Sequence, residues 1–476
     1  MGFIGKHIIL KQVIDLEYHG QADGFALQRQ VSDWCHRELI PQMEEQLGKL
    51  RTKGKVYRID KLEIAVQVDG NKWMADATVQ IVQQLHDQVE QEIQKYHTDS
   101  GLTPATYQQL FVDAFIYFLQ HGHLPWWSPV STHHIWLEEL DNLLITGFGE
   151  NARARLLHLL KQQVVQQRVL YEVPDELFIK LMVQINSGIE QGITNLMNDI
   201  RKLVKDEDER RTVLPVFRQC VMACIYRVDH HQFAEHVYAH FVHQLSARGH
   251  LQHIPVNNGK FKHKIAVGHL TNGKSKEEEA VLTADSFTIK QEGIYIQNAG
   301  LIIVASFLPA LFNKLDVFDG SAITDMNRAV CLVQYLASGR ERIAEFELGL
   351  AKILCGLETD TPVDTNIRLT KTEKQEIHAL LLSVIDYWEA LKDTSPEGIQ
   401  HSFLQRRGKL QLVNNDWVLQ IEQKNWDVLL QQLPWSINTI KLPWMPGQLK
   451  TAYETNMEFR ILHTNEGKVE YLDQQL

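Results

Sequence analysis

Cysteine is scarce in this sequence, and no two cysteines have the spacing of a redox or zinc motif. The chain of 476 residues contains five cysteines and no CxxC motif. A disulfide framework or a cysteine-based zinc site needs paired spacings, so neither is predicted. An odd number of scattered cysteines fits a reducing compartment, and we expect a cytoplasmic protein.

Long apolar runs and an excess of basic residues are also absent. The longest apolar run, AGLIIVASFLPALF (299–312), contains Pro309 and is shorter than the ~20 residues that a membrane-spanning helix needs. The formal net charge is −11 and the sequence pI is about 6.1. Nucleic-acid binding rests on a surplus of Lys and Arg facing phosphate, so we predict neither a membrane span nor a nucleic-acid partner.

The sequence motifs of common enzyme classes are missing too. There is no GxxxxGK[ST] phosphate loop, no GxGxxG dinucleotide motif and no GxSxG nucleophile elbow. Each cysteine lies in an apolar helical pattern, where burial is a simpler interpretation than a role as nucleophile. We therefore predict a protein that is not an enzyme, with no catalytic residue and no cofactor.

Histidine is the one potential metal ligand that clusters. In DHHQFAEHVYAHFVHQL (229–245), steps of four and three residues place His236, His240 and His243 on one face of a helix. Three imidazoles could hold a transition metal, so a metal-dependent hydrolase is one hypothesis. However, HVYAH lacks the glutamate with which an HExxH motif activates a metal-bound water. Chance clustering among 22 histidines is the simpler interpretation.

Hydrophobic periodicity predicts a mostly α fold with small β elements, an α+β protein. Residues 1–100 have the pattern of a strand-helix-strand-helix module, in which VYRIDKLEIAVQV (56–68) alternates like a half-buried strand. Residues 101–250 are helical in pattern, and 251–284 have the composition of a linker. Residues 285–476 are predicted as a helical domain with β-hairpins.

The clearest of these hairpins is GKLQLVNNDWVLQIEQ (408–423), in which two alternating runs flank Asn414-Asn415-Asp416. It is followed by LPWSINTIKLPWM (433–445), which repeats Leu-Pro-Trp on either side of SINTIK. Proline fixes φ and removes a backbone donor, so both tripeptides are predicted as turns or strand starts around one short strand.

Two roles are open for the tryptophans of this closing segment. Either Trp435 and Trp444 fill the core of the last domain, or Trp444 and Met445 form an exposed apolar anchor for a partner protein. The second interpretation rests on the enrichment of tryptophan at binding hot spots. Trp126 and Trp127, in HGHLPWW (121–127), are further candidates for protein interaction.

Several stretches taken together resemble the tape measure proteins of contractile injection systems, the phage-tail-like particles of bacteria. The N-terminal stretches are HIILKQVIDLEY, ALQRQVSDWCHRELIPQMEEQL, YRIDKLEIAV and FLQHGHLPWW. The C-terminal half is similar more densely, through IYIQNAGLIIVASFLPALFNKL, RAVCLVQYLASG, EFELGLAKILCGLETDTPV, SPEGIQHSFLQRRGKL and LPWSINTIKLPWM. These motifs span nearly the whole chain, and none of them is catalytic.

The resemblance implies a structural protein that sets the length of the inner tube or nucleates it, with tube and baseplate proteins as partners. A cytosolic chaperone for secreted cargo is a further alternative. A ruler works by extension, yet the chain has 13 prolines, 27 glycines and no sustained heptad pattern. It is therefore either stretched inside the tube from another folded state or a compact assembly factor.

Overall fold

The computed structural model describes residues 12–18, 24–50, 55–57, 59, 61–70, 72–98, 105–204, 206–225, 232–248, 293–414, 416–424, 426–452, 457–465 and 468–472. The helices in the first half are α1 (Gly24–Trp34), α2 (Ile40–Gly48), α3 (Trp73–Thr98), α4 (Tyr107–His121), α5 (His133–Thr146), α6 (Glu150–Leu159), α7 (Gln163–Glu172), α8 (Asp175–Ile185), α9 (Glu190–Leu203), α10 (Glu207–Cys224) and α11 (Phe233–Ala247). Those in the second half are α12 (Leu308–Lys314), α13 (Met326–Ser338), α14 (Gly349–Leu354), α15 (Lys371–Tyr387) and α16 (Pro396–Ile399).

The strands are few and short, as the sequence predicts. They are β1 (Gln12–Tyr18), β2 (Lys55–Val56), β3 (Ala105–Thr106), β4 (Ile294–Ile296), β5 (Gly408–Val413), β6 (Asp416–Ile421), β7 (Thr439–Ile440), β8 (Leu449–Ala452), β9 (Met457–Asn465) and β10 (Lys468–Leu472). The mostly α fold with small β elements is confirmed.

The chain divides into two compact units. Unit 1 comprises residues 1–110 and 453–476, and unit 2 comprises residues 111–452. In unit 1, β1 pairs in parallel with β9, β10 is antiparallel to β9, and α1, α2 and α3 enclose a core that includes Trp34 and Leu85. In unit 2, α4 to α11 enclose a second core. The four-part division predicted from the sequence stays a prediction.

The five-stranded sheet of unit 2 has the order β4-β5-β6-β8-β7. Its centre is the predicted hairpin, in which Val413 is opposite Asp416 across a two-residue loop. Asn414 adopts a φ of 50°, a left-handed conformation that asparagine tolerates better than most residues. β6 and β8 are parallel, and β7 is antiparallel to β8, so β7 is an edge strand.

Helix ends follow local signals. The Asp325 side chain accepts a hydrogen bond from the backbone N–H of Arg328 at the start of α13, and Gly339, with φ of 66°, ends that helix. At the start of α15, Thr370 and Glu373 form a reciprocal capping box. These side chains satisfy backbone groups that a helix leaves unpaired at its ends.

Two predicted elements differ in detail. The first helix of the predicted N-terminal module is divided by a π-helical turn at Cys35–Leu39, which ends two residues before Pro41, a residue that has no N–H to donate. Of the strand expected over 56–68, the described residues form a strand only at Val56, in β2 (Lys55–Val56), whereas 61–69 belongs to no sheet. A second hairpin, which the sequence SFTIKQEGIYIQNAG (286–300) predicts, lies partly outside the described residues.

Candidate functional site

The closing segment of unit 2 is built from two Leu-Pro-Trp corners around the edge strand β7. Leu442, Pro443, Trp444 and Met445 form a tight turn, in which the Met445 N–H donates to the Leu442 carbonyl over 3.1 Å. Proline favours the second position of such a turn because its fixed φ matches that position. The predicted short strand between the corners is confirmed as β7.

Trp444 joins this turn to the rest of unit 2. Its indole N–H donates to the carbonyl of Leu354, at the end of α14, over 2.8 Å. The ring stacks on Phe312 at 5.1 Å and contacts Phe318 edge-on at 4.9 Å between centroids. A Cβ on Gly356, which has φ of 80°, would lie only 2.8 Å from the Trp444 carbonyl. The turn therefore approaches the α14 terminus closely enough to require glycine there.

Trp435 is held in the same way at the other corner. Its indole N–H donates to the Ile303 carbonyl over 2.8 Å, and its ring packs edge-on against Phe307 at 5.1 Å. Met445 is 5% exposed, whereas both indoles are half-buried. All three side chains thus contribute to packing within unit 2, and their role in binding a partner stays a prediction.

Lys441 stabilises the loop that follows the second corner. Its ammonium group donates to the carbonyls of Met445, Pro446 and Gly447 over 2.8 to 3.0 Å. These three bonds use every N–H of the ammonium group. They satisfy three consecutive carbonyls that have no strand partner among the described residues. The closing segment is therefore ordered by its own residues as well as by the core.

The other predicted interaction residues also lie in a tight turn. Trp126 and Trp127 occupy its two central positions, between Pro125 and Ser128, and the Ser128 N–H donates to the Pro125 carbonyl over 3.0 Å. Both rings are half-buried. This turn leaves each tryptophan with some exposed surface, so the prediction that they bind a partner remains open to test.

Unit 2 also contains a buried ionic cluster that the sequence analysis did not predict: Arg168, Glu172, Glu345, Lys352 and Thr365, called here the Arg168 cluster. Arg168 lies on α7, and its Nε donates to Glu345 Oε1 over 3.2 Å, with both side chains 0% exposed. Lys352, on α14, donates to the same oxygen over 2.6 Å. Two basic side chains thus contact one carboxylate oxygen in the interior.

Arg168 also fastens several backbone segments together. Its Nη1 donates to the carbonyls of Leu119 and Gln120, at the C-terminal end of α4, over 2.9 and 2.8 Å. Its Nη2 donates to the Asp360 carbonyl. Arginine has five donors in a fixed plane, so one side chain can connect α4, α7 and the loop after α14.

Glu172 completes the cluster one helical turn beyond Arg168. It accepts hydrogen bonds from the Glu345 backbone N–H over 3.1 Å and from the Thr365 hydroxyl over 3.0 Å. Burial, followed by the nearby Glu345 charge, raises the pKa of Glu172 to about 8. Burial likewise lowers the pKa of Lys352 and lowers the pKa of His123, in the HGH turn, to about 3. The ionisable groups of the Arg168 cluster are therefore buried, and no substrate could reach them.

A signal for this cluster exists in the sequence of α7. Val165 and Val169 are fully buried, and Arg168 and Glu172 fall on the same helical face as they do. Charged residues on an apolar helical face indicate buried partners. The partners themselves are not indicated, because Glu345 is 177 residues away in sequence.

The histidines proposed as metal ligands lie on the side of α11 away from the core. Phe233, Val237, Phe241 and Leu245 are the buried face, whereas His236 and His243 are exposed and His240 is half-buried. The His236 Nδ1 is 2.9 Å from the Gln232 carbonyl oxygen. Among the described residues, no group of three or more His, Cys, Asp and Glu is arranged to hold a metal ion.

The comparisons with known proteins identify a family. The profile described as contractile injection system tape measure protein matches residues 6–453. No curated protein and no solved structure matches the chain. Within the part of the chain that the structure describes, no helix has both the length and the apolar character for crossing a membrane. Since the match covers all of unit 2 and most of unit 1, the chain belongs to the family of contractile injection system tape measure proteins.

Proposed function

We propose that this protein is a structural assembly protein that helps to build the inner tube of a contractile injection particle. It would act through contacts with tube and baseplate proteins in the cytoplasm and would catalyse no reaction. The family match over residues 6–453 carries this proposal. The Arg168 cluster is consistent with the absence of catalysis, because its ionisable groups are buried and no substrate can reach them.

We further propose that the protein works in its folded form. The longest helix among the described residues is α3, with 26 residues, which at 1.5 Å per residue spans only about 39 Å. A stretched ruler would have to expose the cores of both units. Apolar burial is the main favourable contribution to folding, so such stretching would require binding energy from the tube.

An insertion distinguishes the folded form from a stretched ruler. Twenty Gly/Ser residues inserted at a position within 251–284, the predicted linker, lengthen the chain outside the described residues. A stretched ruler would then give tubes longer by roughly 30 to 70 Å, depending on whether the added segment is helical or extended. The folded assembly protein gives tubes of unchanged length, measured by electron microscopy of purified particles.

A deletion strain tests the assembly role itself. Without the gene, we expect particles to lack a tube or to be absent, and re-expression of the wild-type chain should restore them. Normal particles in the deletion strain would refute the assembly role. Tubes that lengthen with the insertion would refute the proposal that the protein works folded, but not the assembly role. The two experiments therefore test the two proposals independently.

A further inference from the structure

Residues 61–69 in unit 1 form an extended segment that belongs to no sheet. Leu62, Ile64, Val66 and Val68 are half-buried and pack against the unit 1 core, and the residues that alternate with them are exposed. This is the alternation of a strand with one face on a core. Among the described residues, however, the segment makes no backbone-to-backbone hydrogen bond.

The two edges of the segment differ. Gln88 donates to the Glu63 carbonyl over 2.8 Å and Gln84 donates to the Ala65 carbonyl over 3.2 Å, both from α3. In an extended chain, the N–H and C=O of one residue point to the same edge, and those of the next residue point to the other edge. The even-numbered residues therefore direct their N–H and C=O groups to the edge opposite these glutamines.

That opposite edge has no hydrogen-bond partner in the part of the chain that the structure describes. No residue of 61–69 is fully buried, so the segment lies at the surface of the part of unit 1 that the structure describes. A strand edge of alternating apolar residues, whose backbone groups have no partner among the described residues, is a surface on which another strand can add. The remaining question is which strand fits it.

We propose that the edge pairs with the same segment of a second copy of this chain, antiparallel and centred on Ala65. The sequence KLEIAVQVD is complementary to its own reverse in this register. The facing pairs are Lys61 with Asp69, Leu62 with Val68, Glu63 with Gln67, Ile64 with Val66, and Ala65 with its own copy. The four pairs of even-numbered residues would form about eight backbone hydrogen bonds.

Charge and size select this partner and this register. At both ends, Lys61, which pairs with Glu63 of its own chain, also faces an exposed aspartate of the second copy, and opposite charges across strands are favourable. Asp69 and Asp76 also line an open groove of about 340 Å³, which offers Lys61 of the second copy a second carboxylate. If one strand were shifted by two residues, Lys61 would no longer face Asp69. In one direction of the shift, Glu63 would face Asp69 instead, and two like charges would oppose each other. At the two-fold axis, alanine fits the close approach of the chains.

A disulfide test measures the register directly. In the proposed pair, the two Ala65 Cα atoms are about 4.5 Å apart, within the range that a disulfide spans. Ala65→Cys should give a covalent dimer of the full chain under mild oxidation, seen by non-reducing electrophoresis. All five native cysteines are buried, which limits background crosslinking.

Glu63→Cys is the matched control, because residue 63 is also exposed and lies on the same face of the segment. Its own copy would lie about 14 Å away, too far for a disulfide, so this variant should stay monomeric. A mixture of Glu63→Cys and Gln67→Cys chains should crosslink. Equal crosslinking of the Ala65 and Glu63 variants would refute the register.

A charge exchange tests the same pairing without a covalent bond. Asp69→Lys places two lysines opposite each other at both ends and should weaken dimerisation at least about tenfold in analytical ultracentrifugation. Adding Lys61→Asp in the same chain should restore it. A wild-type chain that is monomeric at every concentration, or an Asp69→Lys variant that dimerises like wild type, would overturn the proposal. Monomers whose segment binds a tube or baseplate strand would overturn it also.

Discussion

Glu172→Gln tests the Arg168 cluster through the pH dependence of stability. Glu172 binds its proton more tightly in the folded chain, with a pKa of about 8, than an ordinary glutamate with a pKa of 4.5. The native state therefore holds more protons between these values, and its stability falls as pH rises from about 4.5 to about 8. Glutamine can keep both contacts, accepting from the Glu345 N–H and donating to the Thr365 hydroxyl.

The size of the effect follows from the two pKa values. Between pH 5 and pH 7.5, wild-type stability should fall relative to that of Glu172→Gln by about 3 kcal/mol, since one pKa unit corresponds to 1.36 kcal/mol. Both proteins contain the same other titrating groups, so the contributions of those groups cancel when the two unfolding free energies are subtracted. Urea unfolding of both chains at each pH, followed by circular dichroism, measures this difference.

Glu176→Gln is the control, since it removes an exposed carboxyl from α8, only four residues away. It should reproduce the wild-type pH profile. If Glu172→Gln does so as well, Glu172 does not bind a proton in the folded protein as proposed, and the charge balance of the Arg168 cluster needs another explanation. A parallel loss of stability at every pH would instead indicate that glutamine disturbs the packing.

Two further predictions concern the close contacts of unit 2. Gly122→Ala should destabilise the chain by about 1–3 kcal/mol, because φ is +74° and the new Cβ would lie 2.6 Å from Glu345 Oε1. Gly48→Ala, with open space around it in α2, should be neutral or stabilising in the same thermal melts. Trp444→Phe should cost about 1–3 kcal/mol in urea unfolding, because the Leu354 carbonyl loses its donor. Unchanged stability of Trp444→Phe would show that the hydrogen bond from Trp444 to the Leu354 carbonyl does not contribute to stability.

Sequence alone predicts the elements whose signals are local. The β5–β6 hairpin follows from two alternating runs around Asn414, and the capping residues of α13 and α15 lie next to the helices that they begin. The alternation of 61–69 also predicts the correct extended conformation. It does not predict pairing, because strand partners are distant in sequence and the carbonyls here are bound by glutamine side chains of α3.

The candidate site is less accessible to such prediction. The Leu-Pro-Trp repeat identifies two turns, yet the carbonyls that accept from its indoles lie 132 and 90 residues earlier. The Arg168 cluster likewise brings together residues from α7, α14 and the loops around α14. Such contacts arise only when helices pack, and no local pattern encodes which helices meet.

The Arg168 cluster also bears on whether the protein works folded. Burying several charges costs desolvation energy that close pairing only partly offsets, so such a cluster is useful where one packing arrangement must be specified. A chain that works stretched would hydrate each charge separately and gain nothing from the arrangement. Arg168→Met should cost about 3–5 kcal/mol, because Glu345 loses one of its cations and two α4 carbonyls lose their donor.

If the folded form builds the tube, Arg168→Met should reduce tube formation in cells, and growth at lower temperature should partly restore it. Arg155→Met is the matched control, because it breaks a partly exposed pair with Asp113 and should cost less than about 1 kcal/mol. A stretched working form makes the opposite prediction, since a less stable fold would extend more easily and tube formation would be unchanged or increased. Counting tubes in particles from both variants therefore decides between a folded assembly protein and a ruler.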